Sequence, residues 1–183
     1  MPTNLSIYDN SWYDTGAGVL KRTLWYMVNV LVMANPLNPV SGLKVAVLKW
    51  FGARIGTGVV IKPGVNVKYP WRLEVGNHTW IGERVWIDNL DHVKIGNHCC
   101  LSQGALLLCG NHDYKKSTFD LLISPIILED GVWIGAMSVV TGGVTCGTHL
   151  VLAAGSLASK SMEPYTIYRG NPGIAVKVRE MEG

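Results

Sequence analysis

Long hydrophobic runs are missing from this sequence of 183 residues. No stretch reaches the ~20 apolar residues needed to span a bilayer. The first residues, Met1 to Gly18, are polar and aromatic, without a basic segment leading into an apolar one, so no export signal is expected. Cysteine is scarce: Cys99, Cys100, Cys109 and Cys146 form no C-x-x-C pair and no secreted-scaffold spacing. They read as reduced thiols of a cytoplasmic protein, Cys99 and Cys146 as core residues. An excess of one charge is also lacking. The net charge is +3 with a pI near 8.7, and no run of lysine or arginine marks nucleic-acid binding as the main task. Any basic site is local, and the length suits one well-packed domain.

What the sequence does have is a period of six. Ile55, Ile61, Val67 and Leu73 form a first run, and Val75, Ile81, Ile87 and Val93 a second displaced by two residues. Ile95, Leu101 and Leu107 form a third. After an interruption, the period resumes through Leu128, Ile134, Val140, Cys146, Leu152 and Ala158. Glycine often follows the apolar residue, and four positions on the slot is small or β-branched: Val59, Val65, Thr79, Val85, Ala105, Val132, Ser138, Val144, Ser156. Six fits neither one face of a helix nor an irregular meander. It fits short strands joined by tight corners, a parallel β-helix whose coils bury their inner faces by stacking. A set of ordinary buried strands would not keep phase over half the chain.

The sequence divides into a segment 1–54 with two helices, a β-helix over 55–160 interrupted by a loop at 109–126, and a tail over 161–183. Leu20, Leu24, Met27, Val28 and Leu31 recur at helical spacing before Asn35-Pro36 and Asn38-Pro39 end the first helix. Ser41 is placed to cap a second helix with an inward face of Leu43, Val47 and Trp50 or Phe51, stopped by Gly52. These helices read as a cover for the open end of the coil, which would otherwise expose unpaired backbone and an apolar core. A second reading lays the 19–34 segment in a membrane interface; the two are compatible if part of the face stays uncovered. Trp71 occupies a slot that prefers a small side chain, so the corner there is expected to be distorted or turned outward. His78 and His98 fall at outward turn positions. Between Cys109 and Ile126 charged and turn-forming residues replace the aliphatics, and a loop projects carrying His112, Asp113, Tyr114, Lys115 and Lys116. Such an excursion on a rigid scaffold is usually functional.

Several motifs carry a resemblance: Leu24-Trp-Tyr, Phe51-Gly-Ala-Arg-Ile-Gly, Tyr69-Pro-Trp71, Trp80-Ile-Gly, Gly110-Asn-His112-Asp-Tyr114, Gly131-Val-Trp133-Ile-Gly135, Ala153-Ala-Gly-Ser156 and Gly170-Asn-Pro172. Over nearly the whole chain the sequence is similar to the hexapeptide-repeat acyltransferases, and within them to the colanic-acid-type exopolysaccharide acetyltransferases. The resemblance implies an all-β fold, a left-handed parallel β-helix. Without it, the preference for right-handed crossovers would point the other way. It also implies an acetyl-CoA-dependent O-acetyltransferase that needs no metal, a homotrimer with active sites between subunits, and a sugar or lipid-linked glycan acceptor. Such an enzyme would work in the cytoplasm, at the inner membrane face if the first helix touches lipid.

By the same resemblance His112 is the catalytic base. Imidazole suits the task because its ordinary pKa, near 6.5, lets it take a proton from an alcohol around neutrality. The backbone N–H of Ala136 matches the oxyanion donor, and Trp133 lines the cleft for the pantetheine arm. Ala154, Ser159 and Lys160 match cofactor contacts, with Lys177 or Arg179 meeting the 3′-phosphate. Asp88, Asn89 and Asp91 lie one coil before the loop and either orient the acceptor or the imidazole or serve as plain corner residues; Tyr114 is a further acceptor candidate. Two other readings share the fold. A zinc enzyme of the gamma carbonic anhydrase type needs three converging histidines, and the spacing of His92, His98, His112 and His149 does not supply them. A non-catalytic trimeric scaffold would be marked by loss of the histidine or of Trp133, and both are present.

Overall fold

The computed structural model describes residues 2–182. The period of six becomes a three-sided prism of parallel strands. The first sheet stacks Arg54–Ile55, Leu73–Val75, Val93–Ile95, Ile126–Leu128 and Thr145–Cys146. The second stacks Val60–Ile61, Trp80–Ile81, Cys100–Leu101, Trp133–Ile134 and Val151–Leu152, and is extended by the tail strands Thr166–Arg169 and Ile174–Val178. The third holds Asn66–Val67, Trp86–Asp88, Leu106–Leu108, Val139–Thr141 and Leu157–Ala158. Each sheet points aliphatics inward in register. Ile61, Ile81, Leu101, Ile134 and Leu152 are in register on the second, all at most 1% exposed. The small slots four residues on fill the corners, and Val65, Thr79, Ala105, Val132 and Ser138 are fully buried. Two of the corner hydroxyls repay their burial by bonding the next coil: Thr79 Oγ1 donates to Gly96 O and Ser138 Oγ to Ala153 O, both at 2.8 Å.

The two-residue displacements in the period have a structural cause. In Leu73–Val75 and Val93–Ile95 both end residues are buried, so these strands spend two extra residues on one side. Trp71 is accommodated as the spacing requires: a 3₁₀ turn, Pro70–Arg72, swings its indole outward, where Nε1 donates to Thr15 O at 2.7 Å.

Helix α1, Val19–Val28, continues as a π-helical turn, Asn29–Met33; helix α2 spans Ser41–Trp50. Together they cover the first coil by partnering its backbone edge. Trp25 Nε1 donates to Val67 O at 2.9 Å, Val67 N donates to Asn29 Oδ1 at 3.4 Å, and Ile61 N donates to Ser41 Oγ at 2.8 Å. Buried Lys44 donates to Asn38 O at 2.6 Å, and burial lowers its pKa. Three expectations need correction. The inner face of α2 is Lys44 and Leu48, with Val47 half-buried against the core and Phe51 buried as expected, while Leu43 and Trp50 are exposed. The Ser41 hydroxyl serves the coil edge and not its own helix, whose N-cap position is Val40. The stripe of Leu20, Leu24, Met27 and Leu31 faces outward, Leu20 being 84% exposed, because Trp25, Asn29 and Met33 are the residues turned to the coil.

Candidate active site

Within the interruption at 109–126 the projecting loop is a hairpin, and Ile126 already belongs to the first sheet. Gly110–His112 pairs antiparallel with Leu121–Ile123, placing His112 opposite Leu121. Phe119, held at φ +52°, turns its carbonyl toward the imidazole. His112 Nδ1 lies 2.9 Å from Phe119 O, and the two rings stack at 4.3 Å with 7° between their planes. A carbonyl oxygen can only accept, so Nδ1 carries a proton, and in the neutral ring Nε2 presents its lone pair. The Tyr8 ring also approaches the imidazole, to 5.7 Å, and Asn4 N donates to Ser117 O at 2.8 Å, tying the N-terminal arm to the hairpin. Phe119 and Tyr8 escaped the sequence reading: a main-chain carbonyl aimed by a left-handed residue leaves no residue-type signal, and the arm has no periodicity.

The carboxylate candidates fall elsewhere. Asn89 is fully buried, donating to Tyr69 O at 2.6 Å and accepting from Tyr69 N at 2.9 Å. Asp91 Oδ1 accepts from His92 N at 2.6 Å. Both do corner work. Asp88, 8% exposed, lies 3.1 Å from Lys68 Nζ without hydrogen-bond alignment. None of the three bonds the imidazole. Tyr114 stands exposed at the hairpin tip.

A second constellation lies at the corner between the second and third sheets. Trp133 projects from the second sheet, 46% exposed, its Nε1 donating to Ser102 Oγ at 2.9 Å. The Ala136-Met137 turn follows, with Met137 at φ +57°. Gly135 lets the next coil approach, since a Cβ there would meet Ala154 N at 2.5 Å. Ala154 is therefore seated directly against this turn, and Gly155 N donates to Ala136 O at 2.8 Å. Among the described residues the Ala136 N–H has no intrachain acceptor. Ser159 and Lys160 sit at a different corner, after the third sheet, beside a groove shared with Pro172 and Ile174. Lys177 is exposed on the last strand, without a salt-bridge partner among the described residues. Arg179 is committed to structure: its guanidinium donates to Gly131 O at 3.1 Å and His149 O at 3.0 Å.

The hairpin also departs from the corner after the third sheet, so His112 and the Ala136 N–H occupy different edges of the prism. His78 and His98 stack at 5.3 Å on the remaining edge, exposed as their turn positions required. Among the described residues no three His, Cys, Asp or Glu side chains gather as a metal site.

A stacked parallel β-helix with one projecting histidine hairpin and a tryptophan-bordered turn defines a hexapeptide-repeat acetyltransferase. Solved structures share this architecture. The hexapeptide-repeat acetyltransferase VCA0836 of Vibrio cholerae, determined with acetyl coenzyme A, superposes with a TM-score of 0.80 at 22% identity, covering 91% of this chain and 92% of that one. A maltose O-acetyltransferase of Clostridium difficile gives 0.74 at 23% identity, covering 89% and 88%. No family profile matches the chain. WcaF of Escherichia coli K12, named for acetyl transfer in colanic acid biosynthesis, is 33% identical over 164 residues, 90% of either chain. The chain belongs to this colanic-acid-type family of acetyltransferases, and its prism is the left-handed β-helix.

Proposed function

We propose that the protein moves an acetyl group from acetyl-CoA to a sugar hydroxyl during exopolysaccharide synthesis, as a homotrimer with its sites between subunits. The observation that carries this reading is the 2.9 Å contact of His112 Nδ1 with the Phe119 carbonyl, which leaves Nε2 as the base. Nε2 takes the proton of the acceptor hydroxyl while its oxygen attacks the thioester carbonyl; the C–S bond then breaks and the thiolate of coenzyme A leaves, taking up that proton. Negative charge on the tetrahedral oxygen meets the Ala136 N–H, whose hydrogen has no acceptor among the described residues. Because His112 and Ala136 lie on different edges, one chain's hairpin works with a neighbour's turn. The residues suit the cosubstrate: the Trp133 face packs the pantetheine arm, Ala154, Ser159 and Lys160 border the cleft, and Lys177 is the better partner for the 3′-phosphate because Arg179 is held by two carbonyls.

The outward stripe of α1 supports a site of work at the cytoplasmic membrane face. No helix among the described residues is long and apolar enough to cross a membrane. The sequence carries no Asp or Glu between Thr15 and Leu73, and exposed Lys21 and Lys49 accompany Leu20, Leu24 and Leu31. That combination suits an anionic lipid surface carrying a lipid-linked acceptor. The proposed activity is tested by calorimetric titration with acetyl-CoA: one site per chain is expected, with binding weakened about tenfold or more by removal of the 3′-phosphate or by Lys177→Ala. Absence of acetyl-CoA binding would overturn it.

A further inference from the structure

Among the described residues, the buried Arg22 Nε lacks a hydrogen-bond partner, and Asp88 Oδ1 has only the Lys68 ammonium, at 3.1 Å and without hydrogen-bond alignment. Both residues line one cavity of about 510 Å³ between helix α1 and the third sheet of the first coils. A burial of this kind costs stability unless a ligand or water completes the bonds. The walls around these two groups are aromatic, with Trp25, Tyr26, Tyr69 and Trp86 all bordering the space. Tyr26 and Trp86 are exposed, so the cavity is open at its rim. Flat apolar walls with a few convergent polar groups suit a pyranose ring, whose C–H faces pack on aromatic rings while its rim of hydroxyls seeks donors and acceptors.

The charges narrow the class. Lys68 and Asp88 offset each other at 3.1 Å, and Arg22 has no carboxylate partner among the described residues. The cavity therefore holds one uncompensated guanidinium, which calls for an anion on the sugar. Its location ties it to catalysis: Cys109 N donates to Asp88 O at 3.2 Å, and only the first residues of the hairpin, roughly 10 Å of extended chain, separate Cys109 from His112. We propose that this cavity is a binding site for an anionic pyranose of the acceptor, a sugar other than the one acetylated, so that the enzyme selects a charged glycan chain over a simple neutral sugar. This rests on the reading of the protein as a glycan acetyltransferase, and it adds a specificity site that the transfer chemistry does not require.

The test is ligand-observed saturation-transfer NMR on the full chain, with methyl β-glucuronide, glucose 6-phosphate and methyl β-glucoside as probes. The proposal expects at least one anionic probe to bind about tenfold or more tightly than the glucoside, the two anions separating carboxylate from phosphate ester. Arg22→Gln brings that probe down to the glucoside's level, Arg22→Lys retains most of the preference, and Asp88→Asn, which leaves the Lys68 ammonium unpaired, widens the anionic preference. Equal binding of charged and neutral probes, no binding by any of them, or a preference that survives Arg22→Gln overturns the proposal. The wild-type comparison stands even if a variant fails to fold. Calorimetry with acetyl-CoA on the same sample keeps the two readings apart. Acetyl-CoA binding without an anionic preference sinks the cavity proposal alone; an anionic preference without acetyl-CoA binding sustains the cavity and sinks the transferase reading.

Discussion

On the proposed mechanism, replacing His112 by alanine removes the group that accepts the hydroxyl proton and leaves the acetyl-CoA contacts intact. The imidazole is oriented before any substrate arrives, by the Phe119 carbonyl at 2.9 Å and the stacked Phe119 ring. It therefore contributes to the transition state and little to ground-state binding. General-base assistance is worth ~10²–10⁴ in rate, or about 2.7–5.4 kcal/mol of barrier. The expected result for His112→Ala is a loss of turnover in that range with acetyl-CoA affinity unchanged within about threefold, the pattern for an interaction made only in the transition state. Release of the coenzyme A thiol onto a colorimetric reagent, with an oligosaccharide acceptor, measures turnover; calorimetry measures affinity. Retention of more than about a tenth of wild-type turnover would refute the general-base role, because it would confine the contribution of His112 to under roughly 1.4 kcal/mol.

Two further expectations concern the scaffold. Leu101→Ala, at a fully buried position between Ile81 and Ile134, should cost about 2–5 kcal/mol in urea unfolding, whereas Leu20→Ala on the outward stripe should stay within about 0.5 kcal/mol; equal effects would contradict the assignment of inner and outer faces. Burial pushes the thiols up, Cys99 to about 11 and Cys109 and Cys146 to about 12. In the folded protein these thiols should resist alkylation at pH 8. A thiol of the unfolded chain ionises near pH 8.5 while the folded one stays neutral, so the folded state holds more protons and loses stability as pH rises from about 8.5 toward 11–12. The urea midpoint should fall between pH 8 and 9.5, less so in Cys146→Ala; a constant midpoint would contradict the burial.

The sequence was most legible where each residue answers to its own repeat. Ile81, Leu101 and Ile134 recur because each meets its equivalent in the next coil, so the inward ladders and small corner slots were readable without coordinates. The helices were harder. Their apolar stripes were read against an isolated helix, but the buried face is chosen by what the first coil lacks: acceptors and donors for Val67 and Ile61, supplied by Trp25, Asn29 and Ser41. That selection buries an asparagine and a lysine and leaves leucines outside. At the site, His112 stood out as the histidine inside the one break in the period. What orients it did not, since the Phe119 contact depends on a left-handed backbone angle and a carbonyl. Asp88 was visible as a candidate near the loop, yet its neighbours in space, Arg22 and Trp25, come from a helix far away in sequence.

On the proposed reading, one chain's His112 works with another chain's Ala136 N–H. This pairing is tested most directly by mixing two inactive variants, His112→Ala and Ala136→Pro, after dissociation and reassembly. Proline removes the N–H and is tolerated ahead of the left-handed Met137 in this turn. In randomly mixed trimers, about one quarter of the sites should combine an intact histidine from one subunit with an intact turn from its neighbour, restoring about that share of wild-type turnover. Mixtures as inactive as the separate variants would place both groups within a single chain and contradict the account.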